Sequence, residues 1–125
     1  MKANELMIGD WVYNNVADIT FQVYPQFFSQ WHNRPEQFEA IIQPIPLTKE
    51  ILEKNGWISK RDGSGDFIYM RENTQGYGSN DMTVTKNIVG NFQMIHGSFN
   101  GISVYYVHEL QHCLKLVGID KEITI

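Results

Sequence analysis

Residues 107–112 read VHELQH, and within them His108, Glu109 and His112 spell H-E-x-x-H. On a helix the two histidines stand one turn apart, so both imidazoles can reach one Zn2+. The glutamate between them can then act as general base toward a metal-bound water. Such a site also needs a third protein ligand, with the fourth position left open. The chain continues CLKLVG, placing Lys115 and Gly118 where the metzincin pattern needs Gly and His. Glu122 is the one later glutamate, and it sits in a short tail. His32 and His96 lie upstream with nothing in the sequence to bring them near.

The helix that carries the motif decides which way the imidazoles point. At about 100° per residue, Leu110, Leu114 and Val117 gather on one side, with Tyr106, Val107 and Cys113 at its edges. His108 and His112 fall about 170° from the centre of that arc, beside Lys115. The expectation is a helix over roughly 106–117, closed by Gly118, whose apolar side grips a sheet. Both histidines then face water and hold no ion, and Cys113 is a core thiol rather than a nucleophile.

Other stretches resemble chemical motifs and fail on detail. Asp62, Ser64 and Asp66 alternate as a calcium loop begins, but Phe67 and Asn73 occupy the positions that require Gly and Glu. The stretch GYGS at 76–79 lacks a following G-K-[ST] and reads as a turn rather than a phosphate loop. No catalytic, cofactor-binding or metal-ligating residue is therefore assigned, and no cofactor is expected.

The chain has 125 residues, the length of one ordinary domain, and 1–125 is read as a single domain. With 42% hydrophobic and 19% charged residues it can bury a core, which argues against whole-chain disorder. The net charge of -4, without a Lys/Arg run, argues against nucleic acid held by charge alone. No window approaches the roughly 18 apolar residues of a membrane span. The start MKANELMIGD has Glu5 and Asp10 and no apolar stretch, so it is not read as a secretory signal. A lone Cys113 fits a reducing compartment, and the localisation expected is cytoplasmic.

The elements follow from period and punctuation. IGDWVY (8–13) and the alternating ITFQVYP (19–25) form a hairpin across NNVAD, an opening similar to that of small SH3-like barrels. The aromatic segment 25–38 is either a short helix, with Phe27 and Trp31 on one face, or a pinned loop. Its rings either fill the core or offer a partner surface. EAIIQPIPL (39–47) reads as a strand ended by Pro44 and Pro46. Thr48 then caps a helix that stops at Gly56. Strands are expected at 57–61, 66–71, 82–87, 91–97 and 101–107, with DGSG and Asn100-Gly101 as turns and a polar loop at 71–81. EITI (122–125) could add a last strand. The fold class is α+β: a single antiparallel, strongly bent or barrel-like sheet with two helices packed against it.

The segments MKANELMIGDWVY, IIQPIPLTKEILEKNGW and YYVHELQHCLKLVGIDKEITI together resemble an uncharacterised family of small proteins from Bacteroidetes genomes, their phages and integrated elements. The likeness rests on an opening like ANEL-IG--VY, a central PIPLT-E-L-K-G and a closing YVH-LQ helix followed by EITI. It covers about half of the chain and leaves out 25–38 and 71–81. It implies no activity, cofactor or catalytic residue. It does imply that H-E-x-x-H is an accident of this sequence and that His108 is the position of interest.

The function expected is that of a non-catalytic accessory or interaction protein of a gut bacterium or its mobile element, with another protein as partner. One alternative is a zinc-dependent hydrolase using His108, Glu109 and His112. Another is an SH3-like nucleic-acid-binding module with Trp11, Tyr13 or Tyr24 as stacking platforms.

Overall fold

The computed structural model describes residues 1–61, 67–71, 83–86, 92–96, 99–119 and 121–125. The DGSG turn, the GYGS stretch and positions 72–81 of the polar loop lie outside the described residues, together with the expectations placed on them. The chain parts into two compact units: Met1–Pro46 with Tyr106–His108, and Leu47–Tyr105 with Glu109–Ile125.

Unit 1 opens with a 3-10 turn, Ala3–Glu5, and the expected hairpin of β1 (Trp11–Asn14) and β2 (Ile19–Gln22). Its turn is built from local side-chain bonds. Asn14 Oδ1 accepts the N–H groups of Val16 and Ala17 at 3.0 and 2.9 Å. Asp18 adopts φ 55°, a left-handed conformation that Asp tolerates better than most residues. Its Oδ1 accepts the Tyr13 hydroxyl at 2.6 Å. Two helices follow, α1 (Phe27–Asn33) and α2 (Pro35–Ile41), and then β3 (Ile42–Pro44), which pairs antiparallel with β1. The strand read over 39–47 is thus shortened to Ile42–Pro44, ending at Pro44 as expected, while 39–41 belong to α2. Pro35 at the first turn and Glu36 near the dipole's positive end start α2, and its last turn consumes Glu39 to Ile41.

The core of unit 1 is Leu6, Val12, Val23, Phe27, Trp31 and Ile42. Phe27 is its hub. Its ring lies 5.5–5.9 Å from those of Phe21, Tyr24, Phe28, Trp31 and Phe38, in tilted or edge-on contacts that aromatic quadrupoles favour.

Unit 2 holds α3 (Lys49–Lys54), whose N-cap is Thr48 as expected. The Thr48 Oγ1 accepts the Ile51 N–H at 3.2 Å, and Gly56 follows at φ 95°. Five strands run as an antiparallel meander: β4 (Trp57–Arg61), β5 (Phe67–Arg71), β6 (Thr83–Lys86), β7 (Phe92–His96) and β8 (Phe99–Val104). Asn100-Gly101 does not make the turn. Both lie inside β8, where Met94 pairs with Ile102 and Ile95 with Asn100, leaving Gly101 at φ 78° as the extra residue of a β-bulge.

The tail 121–125 forms no strand. A side chain does a strand's work instead. The buried Asn55 donates through Nδ2 to the Thr124 carbonyl at 2.8 Å and accepts the Thr124 N–H on Oδ1 at 2.8 Å. One amide group thus reproduces both bonds of a ladder rung, and the adjoining Ile123 is buried at 2% exposure.

The α+β class therefore stands, but the single bent or barrel-like sheet with two helices does not. Among the described residues there are two open antiparallel sheets, ordered β2-β1-β3 and β4-β5-β6-β7-β8, and four α-helices. After α1 and α2 the chain returns to β1 as β3, which completes the first sheet, and β4 to β8 hydrogen-bond among themselves as a second.

Candidate functional site

The helix bearing H-E-x-x-H, α4, runs from Val107 to Leu116. Gly118 closes it at φ 76°, with the Gly118 N–H on the Lys115 carbonyl at 3.1 Å and the Ile119 N–H on the Leu114 carbonyl at 2.9 Å. This pair of bonds is the Schellman pattern. Val107, Leu110, Cys113 and Leu114 are buried as the wheel requires.

His108 overturns the wheel. It is 5% exposed, its Nδ1 is shielded from solvent, and its ring stacks on that of Tyr106 with centroids 5.9 Å apart and planes 9° from parallel. Gln111 is buried too, while His112 remains half-buried and Lys115 and Leu116 are exposed. Burial thus changes along the axis as much as around it. The chain just before the first turn is held by backbone pairing. Pro46 bridges Tyr106, the Val107 N–H bonds the Ile45 carbonyl at 2.9 Å, and the Leu47 N–H bonds the Tyr105 carbonyl at 2.9 Å.

Glu109 has a structural occupation. Its Oε1 accepts the backbone N–H of Tyr105 at 2.9 Å, two residues before the first helical residue, Val107. This is a capping-box bond displaced by one position, and it places a carboxylate at the positive end of the helix dipole. Among the described residues no group of three or more His, Cys, Asp or Glu side chains is placed to hold a metal ion. Contacts assign His108 to unit 1, and Glu109 and His112 to unit 2. The Cys113 thiol is pushed up by burial first and by the Glu109 charge second, so it is protonated at neutral pH and a poor nucleophile.

Unit 1 offers a different feature, which motif reasoning did not find. The Ala3–Leu6 segment, α1 and Pro35 enclose an open groove of about 560 Å3. Its walls are Ala3, Leu6, Phe28, Trp31 and Pro35, and its polar rim is Asn4 and His32. The signal lay in the spacing. Phe28, Trp31 and His32 stand at i, i+3 and i+4 on α1, Pro35 opens α2 beside them, and Phe27 is buried in the core. Segment 25–38 is thus helical, as one of its two readings had it; Phe27 and Trp31 fill the core, and Phe28 and Trp31 line a groove. A smaller polar recess of about 370 Å3 lies beside it, formed by Gln30, Asn33, Arg34 and Phe38.

The aromatics considered as stacking platforms are partly committed elsewhere. Trp11 and Tyr13 are half-buried, and the Tyr24 hydroxyl donates to Gln30 Oε1 at 2.6 Å. The Tyr13 hydroxyl, donating to Asp18, titrates above its ordinary value because that hydrogen bond favours the protonated form. No helix among the described residues is long and apolar enough to cross a membrane. Comparison with family models, curated proteins and solved structures finds no match for this chain.

Proposed function

We propose that this is a non-catalytic accessory protein that works by binding another protein, with the groove of unit 1 as the contact surface. The observation that carries the reading is that groove: an open channel walled by Trp31, Phe28, Pro35 and Leu6 with a narrow polar rim. Buried aromatic anchors set in such pockets supply most of the energy at protein interfaces. The occupation of Glu109 as a cap and of His108 in a stack supports the same reading, since each residue then has a structural reason to be present. The family resemblance and the lone cysteine suit a cytoplasmic role in a gut bacterium or its mobile element.

The test uses the tagged protein as bait beside two variants. Phe28→Glu puts a charge on the groove wall and gives up the edge-on contact with Phe27, so circular dichroism and a urea melt first establish that it is folded. Glu50→Gln, on the exposed side of α3, is the control. A partner retained by the protein and by the control but lost from Phe28→Glu supports the reading. A partner held equally by Phe28→Glu removes the groove from it, and the capture of none removes the reading.

A further inference from the structure

We propose that Asn55-Gly56 is a deamidation site that the native fold protects, and that its conversion irreversibly frees the C-terminal tail. An asparagine followed by glycine is the dipeptide most open to this chemistry, because glycine has no side chain to hinder ring closure. The Gly56 nitrogen attacks Asn55 Cγ, forming a C–N bond and expelling ammonia to leave a succinimide. Water then opens the ring at either carbonyl to give aspartate or its β-linked isomer. Water is the sole co-reactant.

Three features of the fold oppose the first step. Asn55 sits at φ -99°, ψ 13°. At that ψ its Cβ branch and the Gly56 nitrogen stand well apart around the Cα–C bond, far from the eclipsed arrangement that a five-membered ring requires. The Gly56 N–H is engaged with the Glu53 carbonyl at 3.1 Å, so the attacking nitrogen keeps its proton. The Asn55 amide is clamped through Nδ2 to the carbonyls of Ile51 (2.7 Å) and Thr124 (2.8 Å), and through Oδ1 to the Thr124 N–H (2.8 Å). With the residue 5% exposed, attack needs local opening.

The product cannot restore the lock. An aspartate presents oxygens where Nδ2 donated, so two carbonyls meet acceptors and a charge is buried. The β-linked isomer also lengthens the backbone beside Gly56. The Thr124 pair breaks in both, and Ile123 loses its anchor.

The experiment ages the intact protein and its urea-unfolded form in the same mildly alkaline buffer. The peptide carrying Asn55-Gly56 is followed by mass spectrometry, with the peptide carrying Asn100-Gly101 as the second reporter. We expect conversion at Asn55 at least about tenfold slower in the folded protein. Equal rates would overturn the protection. The deamidated fraction of the aged protein is then isolated by ion exchange and compared with Asn55→Asp, checked for folding by circular dichroism. Both are expected to lose amide-exchange protection at Thr124 and to be trimmed faster by carboxypeptidase. If the aged fraction alone keeps full protection there, the release is wrong, whether or not Asn55→Asp folds.

Discussion

Glu109 distinguishes a helix cap from a catalytic base, and two substitutions separate the roles. Glu109→Gln keeps an oxygen that can accept the Tyr105 N–H, and Glu109→Ala keeps none. A side-chain cap contributes about 0.5–2 kcal/mol. A carboxylate in the first turn adds about 0.3–1 kcal/mol against the dipole. Because Glu109 is half-exposed, water replaces part of what is lost, and the low end of each range applies. We therefore expect Ala to cost about 1 kcal/mol and Gln less than about 0.5 kcal/mol. For a chain of this size the first value corresponds to a fall in Tm of about 3–5 °C.

The assay is thermal and urea unfolding of the three proteins, with Cys113 as an independent reporter of charge. The Glu109 carboxylate contributes to raising the Cys113 thiol, so both substitutions are expected to lower it slightly. This is read from the pH dependence of thiol alkylation. Stability should thus follow the order wild type, Gln, Ala, while the thiol responds alike to Gln and Ala. If Gln destabilises as much as Ala, the oxygen-acceptor argument fails. If Gln preserves the fold but abolishes a zinc-dependent hydrolysis, the carboxylate is a base and the site must be reassigned.

Other expectations follow from the same structure. The raised Cys113 thiol stabilises the fold fully below the unfolded thiol value and loses that contribution as pH rises through the folded one; Cys113→Ala is expected to flatten this alkaline decline, seen by urea midpoints across the alkaline range. Phe27→Leu should cost more than Phe38→Leu, because Phe27 meets five aromatic rings and Phe38 two, each pair contributing about 0.5–1.5 kcal/mol beyond burial; tryptophan fluorescence in urea checks the order. Protein purified without a tag is expected to carry far less than stoichiometric zinc by elemental analysis. Stoichiometric zinc lost together with an activity in His112→Ala would restore the hydrolase reading.

What the sequence made legible was local. Thr48 caps, Gly56 and Gly118 terminate and the first hairpin forms because each depends on residues within about one turn of itself. The groove was half legible. Its α1 side repeats at helical spacing within one segment, whereas Ala3 and Leu6 arrive from the N-terminus by tertiary folding. The tail's partner was not legible at all. Asn55 and Thr124 stand 69 residues apart, and nothing in E-I-T-I says that a side-chain amide will replace a neighbouring strand. Asn100-Gly101 shows a subtler failure. Glycine's tolerance of positive φ was read correctly, but a turn and a bulge demand the same tolerance, and the strand register decided between them.

His108 shows why a helical wheel alone could not settle the H-E-x-x-H question. A wheel projects the helix along its axis and so averages burial over its length. In α4 the first turn is enclosed on most sides and the last turn is open, so His108 and Lys115, nearly superposed in projection, are respectively buried and exposed. What opposes a zinc site is not a pair of imidazoles facing water: His108 is stacked against Tyr106, and Glu109 is turned back toward Tyr105. A base that must reach a metal-bound water cannot also hold the N–H before its own helix, so activating the motif would require the first turn of α4 to give up its cap.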